Sequence, residues 1–126
     1  MRKADCKINV DSRLTECEGR FRAFFERSPF AIVVIDPETS LPADFNEAAY
    51  AQLGYSREEF AAMRVQDYDV LETPEQIQAH ARKILKYGKT EFETRHRTKA
   101  GEVRDVAVNA SVLKIGGKEY IYCVLR

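Results

Sequence analysis

The stretch FNEAAYAQLGYSREEF, residues 45–60, sets two helix starts around one helix stop and decides the middle of the fold. Asn46 can accept a first-turn backbone N–H, and the helix it caps runs to Leu53. Gly54 suits the left-handed residue that ends such a helix. Ser56 and Glu59 have the spacing of a reciprocal capping box, and Tyr55 with Phe60 has that of a hydrophobic staple.

Towards the C-terminus, Thr73-Pro74-Glu75-Gln76 is a third helix start, with cap, first-turn proline and N3 glutamine in place. That helix runs through Ile77, Ala81, Ile84 and Leu85 and stops at Gly88. The remainder reads as β. A strand over 91–98 reaches a turn at Lys99-Ala100-Gly101, and an alternating strand over 103–113 follows it. Gly116-Gly117 suits a tight hairpin turn into a last strand from about 120 to 125.

Towards the N-terminus, residues 43–45 form a short strand and 36–40 a turn. Residues 30–35 are a continuous apolar run, the mark of a strand covered on both faces. Ser28-Pro29 ends a first helix, because a residue before proline is pushed out of the helical region. That helix carries a stripe of Val10, Leu14, Cys17, Phe21 and Phe24, spaced by fours and threes. It fits equally a helix lying on its own domain and a seam to a second copy. The order is helix, two strands, three short helices, three strands. Such segregation argues for an α+β fold, an antiparallel sheet with helices on one face. A sheet roofed in this way can enclose a cavity.

Composition narrows the classes. The chain has 126 residues, 44% hydrophobic and 32% charged, which fits one globular domain. Twenty Lys and Arg against 20 Asp and Glu give a net charge of zero, so the basic face expected of a nucleic-acid binder is missing. The apolar run at 29–35 is too short to span a bilayer, which points to a cytoplasmic domain with no membrane partner. Cys6, Cys17 and Cys123 form no CxxC pair, so neither a disulfide framework nor a zinc site is supported.

Five landmarks in this order carry a resemblance: Phe21 to Pro29 before the first strand, Phe45-Asn46, Gly54-Tyr55-Ser56-Arg57-Glu58-Glu59-Phe60, Thr98-Lys99-Ala100-Gly101-Glu102, and the closing 120–126. Together they resemble the PAS family, of the bacterial sensory-box type. The resemblance implies a PAS-like five-stranded antiparallel sheet with short helices on one face and an N-terminal flanking helix. It divides the chain into a helical linker or cap at 1–19 and a sensor domain at 20–126. It further implies a signalling role, by ligand binding or dimerisation, relayed to an output domain such as a histidine kinase or cyclase. Ser40 stands where the family usually shows a hairpin glycine, and Ala62 replaces another. Family members commonly continue past the last strand with Asp-Ile-Thr, so a fragment of a longer protein is expected.

On the same analogy the cofactor or ligand pocket is lined by Phe45, Leu53, Met63, Ile77, Ile84, Phe92, Val108, Ala110 and Ile121. Each is also an ordinary core residue by type. Polar candidates inside are Tyr50, Tyr68 and His80, while strict alternation turns Asn109 outward. His80 flanks the apolar face of its helix, and some similar domains hold haem through a histidine there. Flavin photosensing relatives need a reactive cysteine soon after the glycine-tyrosine turn, and residues 64–73 contain none. Cys123 alternates with Tyr122, so one of the two faces the pocket.

If Ile121 and Cys123 point inward, then Tyr120, Tyr122 and Val124 form an outer apolar patch. The N-terminal stripe, from this chain or a twofold-related one, could cover it, which supports a homodimer. Arg95-His96-Arg97 reads as a solvated strand edge. Catalysis finds no metal-binding or phosphate-loop motif, and Tyr68 between Asp67 and Asp69 is equally a capping turn. The expectation is a binding module and not an enzyme.

Overall fold

The computed structural model describes residues 19–126. Strand β1 (Ala31–Ile35) has all five residues buried, as a run of apolar residues with no polar alternate requires. Pairing builds outward from it into one antiparallel sheet of order β2-β1-β5-β4-β3. The partners are β2 (Pro42–Phe45), β3 (Lys89–Arg97), β4 (Val103–Ile115) and β5 (Lys118–Leu125). Gly116 and Gly117 join β4 to β5 with φ of 58° and 80°, the pair of positive values a two-residue hairpin needs. Five strands and their pairing agree with the α+β expectation.

Four helices lie between β2 and β3: α2 (Glu47–Ala51), α3 (Arg57–Ala61), α4 (Val65–Tyr68) and α5 (Pro74–Tyr87). Their caps are those the residues announce. Asn46 accepts from Ala49 N–H, Ser56 and Glu59 close a capping box, and Thr73 and Gln76 close another. Gly88 ends α5 in the left-handed region. The first helix is shorter than expected, ending at Ala51, and α4 was not anticipated. It forms because the Asp67 carboxylate accepts the Arg64 N–H at its start.

The core lies between the helices and the inner sheet face. Ala31, Val33, Ile35, Val106, Val108, Ala110, Ile121 and Leu125 meet Ala49, Leu53, Phe60, Tyr68 and Ile84 there. Asn46 is fully buried and joins three elements. Its Oδ1 accepts from Ile32 and Ala49, and its Nδ2 donates to the carbonyls of Phe25 and Phe30.

Residues 19–27 are helical and are labelled α1. Of the expected stripe, Val10, Leu14 and Cys17 lie outside the described residues. Phe21 and Phe24 are 65% and 76% exposed, whereas Phe25 is buried. The Asn46 bond to the Phe25 carbonyl and the Arg22–Asp44 ion pair (3.1 Å) fix this rotation of the helix. It presents Phe25 to the domain and leaves the other two phenylalanines outward.

Candidate ligand cavity

Between the sheet and helices α4 and α5 the core is not filled. Two adjoining lobes, of about 80 Å³ and about 60 Å³, share Ile35, Val65, Asp69, Phe92 and Cys123 in their lining. The outer lobe is roofed by Ile77, His80, Ala81 and Ile84 of α5 and floored by Ile121. The inner lobe adds Tyr68, Thr94, His96, Val108 and Leu125.

The hollow follows from the side chains that the elements bring to this end. Strand alternation in β3 sends Phe92, Thr94 and His96 inward and Glu91, Glu93, Arg95 and Arg97 outward, and the inward set shortens and becomes polar towards the strand's end. A threonine and an imidazole do not fill what a second phenylalanine would. The segment after α4 closes over them: Val70 N–H bonds the Arg95 carbonyl, and Asp69 bridges to His96 across the sheet edge.

Asp69 is the fastening. Its Oδ1 accepts the N–H groups of Leu71 and Glu72, and its Oδ2 accepts the Thr94 hydroxyl at 2.7 Å. The carboxylate therefore ties the approach to α5 directly to β3. His96, 3% exposed, places Nε2 3.9 Å from Asp69 Oδ2, beyond a hydrogen bond, while its Nδ1 has no partner among the described residues. Burial pulls the His96 imidazole down to about 4, with the Asp69 charge opposing, so it is neutral at physiological pH. Burial likewise pushes the Tyr68 phenol above its ordinary value and the Cys123 thiol up to about 12, so both stay protonated. At the outer lobe, His80 Nδ1 lies 3.3 Å from Glu72 Oε1, and its ring meets Phe92 edge-on at 4.2 Å.

Of the sequence candidates, Ile77, His80, Ile84, Phe92, Val108, Ile121 and Cys123 line one lobe or both. Phe45, Ala110 and Leu53 are buried, and Met63 packs against the core cluster; none borders the lobes. Phe45 is held instead in aromatic packing with Phe60 and Tyr50, at 5.0 and 5.9 Å between ring centroids. Asn109 lies on the outer face, opposite Glu91 of β3. Tyr120, Tyr122 and Val124 are half-buried on that face.

One expectation is overturned. His96 is not part of a solvated edge, because the alternation that exposes Arg95 and Arg97 turns it inward. Asp69 was also missed as a cavity residue. Counting in twos from Phe92 reaches Thr94, which shares its strand face, and would have found His96 next, whereas nothing local marks Asp69 as buried.

Haem and flavin do not fit these residues as they stand. A site for a molecule of that size encloses at least about 300 Å³. Neither lobe approaches this, and the two together fall short of it as well. Among the described residues no helix is long and apolar enough to cross a membrane.

Comparison with known proteins places this geometry. A family model described as PAS domain matches residues 29–126. A methyl sulfide methyltransferase-associated sensor of Methanosarcina acetivorans is 30% identical over 119 residues, which cover 94% of this chain and 12% of that protein. The chain thus spans about an eighth of the length of this curated relative. The PAS domain of an HTR-like protein from Haloarcula marismortui superposes with a TM-score of 0.84 at 24% identity, covering 94% of this chain and 97% of that one. A PAS domain from a two-component sensor histidine kinase gives 0.73 at 22% identity, covering 89% of this chain and 97% of that one.

Proposed function

This chain belongs to the PAS domain family of sensory signalling modules, and from that premise we propose that its input is a small molecule held in the two lobes beneath α4 and α5. The observation that carries this reading is a hollow in an otherwise filled core that is lined by His96, a buried side chain whose Nδ1 has no partner among the described residues. Buried polar groups around space are a cost unless something bonds them. Occupancy would act on Asp69, which holds the roof to β3, so a ligand that prefers one roof position shifts the domain towards it.

The domain is a binding module without catalysis of its own. The Thr94 hydroxyl and the Asp69 carboxylate are taken up in fastening the roof, the carboxylate already accepting two backbone N–H groups besides that hydroxyl. The sensor unit is residues 20–126 and residues 1–19 are its helical linker. It belongs to a longer cytoplasmic protein, in which the signal passes to an output domain such as a histidine kinase or cyclase, with no nucleic acid or membrane partner.

A second reading, dimerisation and relay, is favoured by exposed Phe21 and Phe24 on α1. In it a homodimer forms through the N-terminal helix and the outer sheet face, where Tyr120, Tyr122 and Val124 stand. Native mass spectrometry of the freshly isolated chain tests both readings. The first expects a bound small molecule or a mass shift on adding one, and the second expects a dimer that Phe21→Ser with Phe24→Ser dissociates. A protein that stays unliganded against a broad small-molecule library rejects the first. An oligomer unchanged by the double substitution rejects the second.

A further inference from the structure

The two carboxylates and two imidazoles at the lobes are not equivalent in what they leave free. Asp69 is satisfied: its oxygens already accept two backbone N–H groups and the Thr94 hydroxyl. Glu72 faces His80 Nδ1 at 3.3 Å. His96 alone combines near-complete burial with a ring nitrogen that has no partner among the described residues. Its Nε2 is the atom nearer the Asp69 carboxylate. The proton therefore belongs on Nε2, since the other tautomer would set a lone pair against the carboxylate oxygen. Nδ1 is left as a buried, unpartnered acceptor on a ring that lines the inner lobe.

A buried acceptor calls for a donor. Size sets the second limit: a water's share of liquid volume is roughly 30 Å³, so each lobe holds two or three water-sized groups. Charge sets the third. Asp69 and Glu72 both border the cavity and disfavour an anion there.

Resting on the ligand-sensing reading above, we propose that the cavity selects small neutral or cationic molecules of roughly four to six heavy atoms that donate a hydroxyl or amino hydrogen to His96 Nδ1. The apolar remainder of such a molecule lies against Phe92, Ile35 and Cys123. His96 is then the residue that decides which chemical class is sensed.

The test uses four probes of like size on the full chain: 1-butanol, n-butylamine, diethyl ether and butyrate. Binding is followed by amide shifts of Thr94 and His96 and by the ¹⁵N shift of His96 Nδ1. Butanol and butylamine are expected to bind about tenfold or more tightly than ether and butyrate, and to move the Nδ1 resonance. In His96→Phe the preference of butanol over ether should disappear. Equal binding of butanol and ether to the wild-type chain, or binding that leaves Nδ1 unmoved, overturns the role of His96 while the cavity still takes ligands. If none of the four probes binds, the ligand-sensing reading falls together with this one. The wild-type butanol-to-ether ratio decides the question even if His96→Phe does not fold.

Discussion

The two ends of the inner sheet face are finished in opposite ways. Beneath α2 and α3 the space is filled by aromatic rings. Phe45 meets Phe60 at 5.0 Å and Phe60 meets Tyr68 at 5.6 Å, with Leu53 and Ala49 almost fully buried beside them. Beneath α4 and α5 the same sheet carries Thr94, His96 and Cys123, the roof is tied down by a carboxylate, and space remains. Tyr68 belongs to both ends, since its ring also lies 4.8 Å from that of His96. The lesson is that one strand periodicity serves two purposes. Where the inward residues are large and apolar the domain gains stability, and where they are short and polar it gains a place for something else.

If the filled end carries the stability, Phe60→Ala should cost the most. At 1% exposure, the ring leaves a cavity worth about 3–5 kcal/mol, read as a fall in the urea midpoint. A loss no larger than that of a surface substitution would erase the contrast between the two ends.

The polar end predicts a pH dependence. An ordinary imidazole titrates near 6.5, and that of His96 near 4. Between these values the unfolded chain takes up a proton that the folded imidazole refuses. Stability is therefore complete above about pH 6.5 and drains away as the pH falls towards 4, by about 3 kcal/mol. Unfolding series at pH 7, 5.5 and 4 should show that slope in the wild-type chain and lose most of it in His96→Phe. An identical slope in both proteins would mean that His96 is not held neutral by burial.

A smaller effect sharpens the account of the fastening. Thr94→Val keeps the shape and removes the hydroxyl that Asp69 Oδ2 accepts, at a cost of about 1–2 kcal/mol. Hydrogen exchange should quicken at Leu71 and Glu72 before it does in α2. Uniform quickening would show that the roof is not a separate unit. Least of all, Lys99→Ala should leave the melting temperature unchanged, because its pair with Glu59 (2.9 Å) is solvent-exposed. A clear drop would show that stability also resides at the surface.

Much of the fold was legible because its signals are local. The boxes at Ser56 and Thr73, the stop at Gly88 and the turn at Gly116-Gly117 need only residues a few positions apart, and each lies where it was read. Helix α4 escaped because Arg64 stands at the cap position where the other two boxes have Ser56 and Thr73, so Asp67 three residues on completes no recognisable motif. The site was legible in half. Residues recurring on α5 and β5 reach the lobes, but Phe45, Leu53 and Met63 differ from them only in what packs opposite, which no short window records. Asp69 depended on a contact with Thr94 across 25 positions of chain.

Strand β3 forms one border of the sheet, and its odd-numbered side is Lys89, Glu91, Glu93, Arg95 and Arg97. Sliding it by a single position against β4 would drive two guanidinium groups under the roof and put Thr94 and His96 into water. That exchange is prohibitive, so the strand is pinned by charge as firmly as by its ladder. Any response of the hollow end to its contents must then be expressed as bending of this border or lifting of the roof, never as a change of pairing. The same charged fringe makes the border a poor template for adding a further strand from another chain.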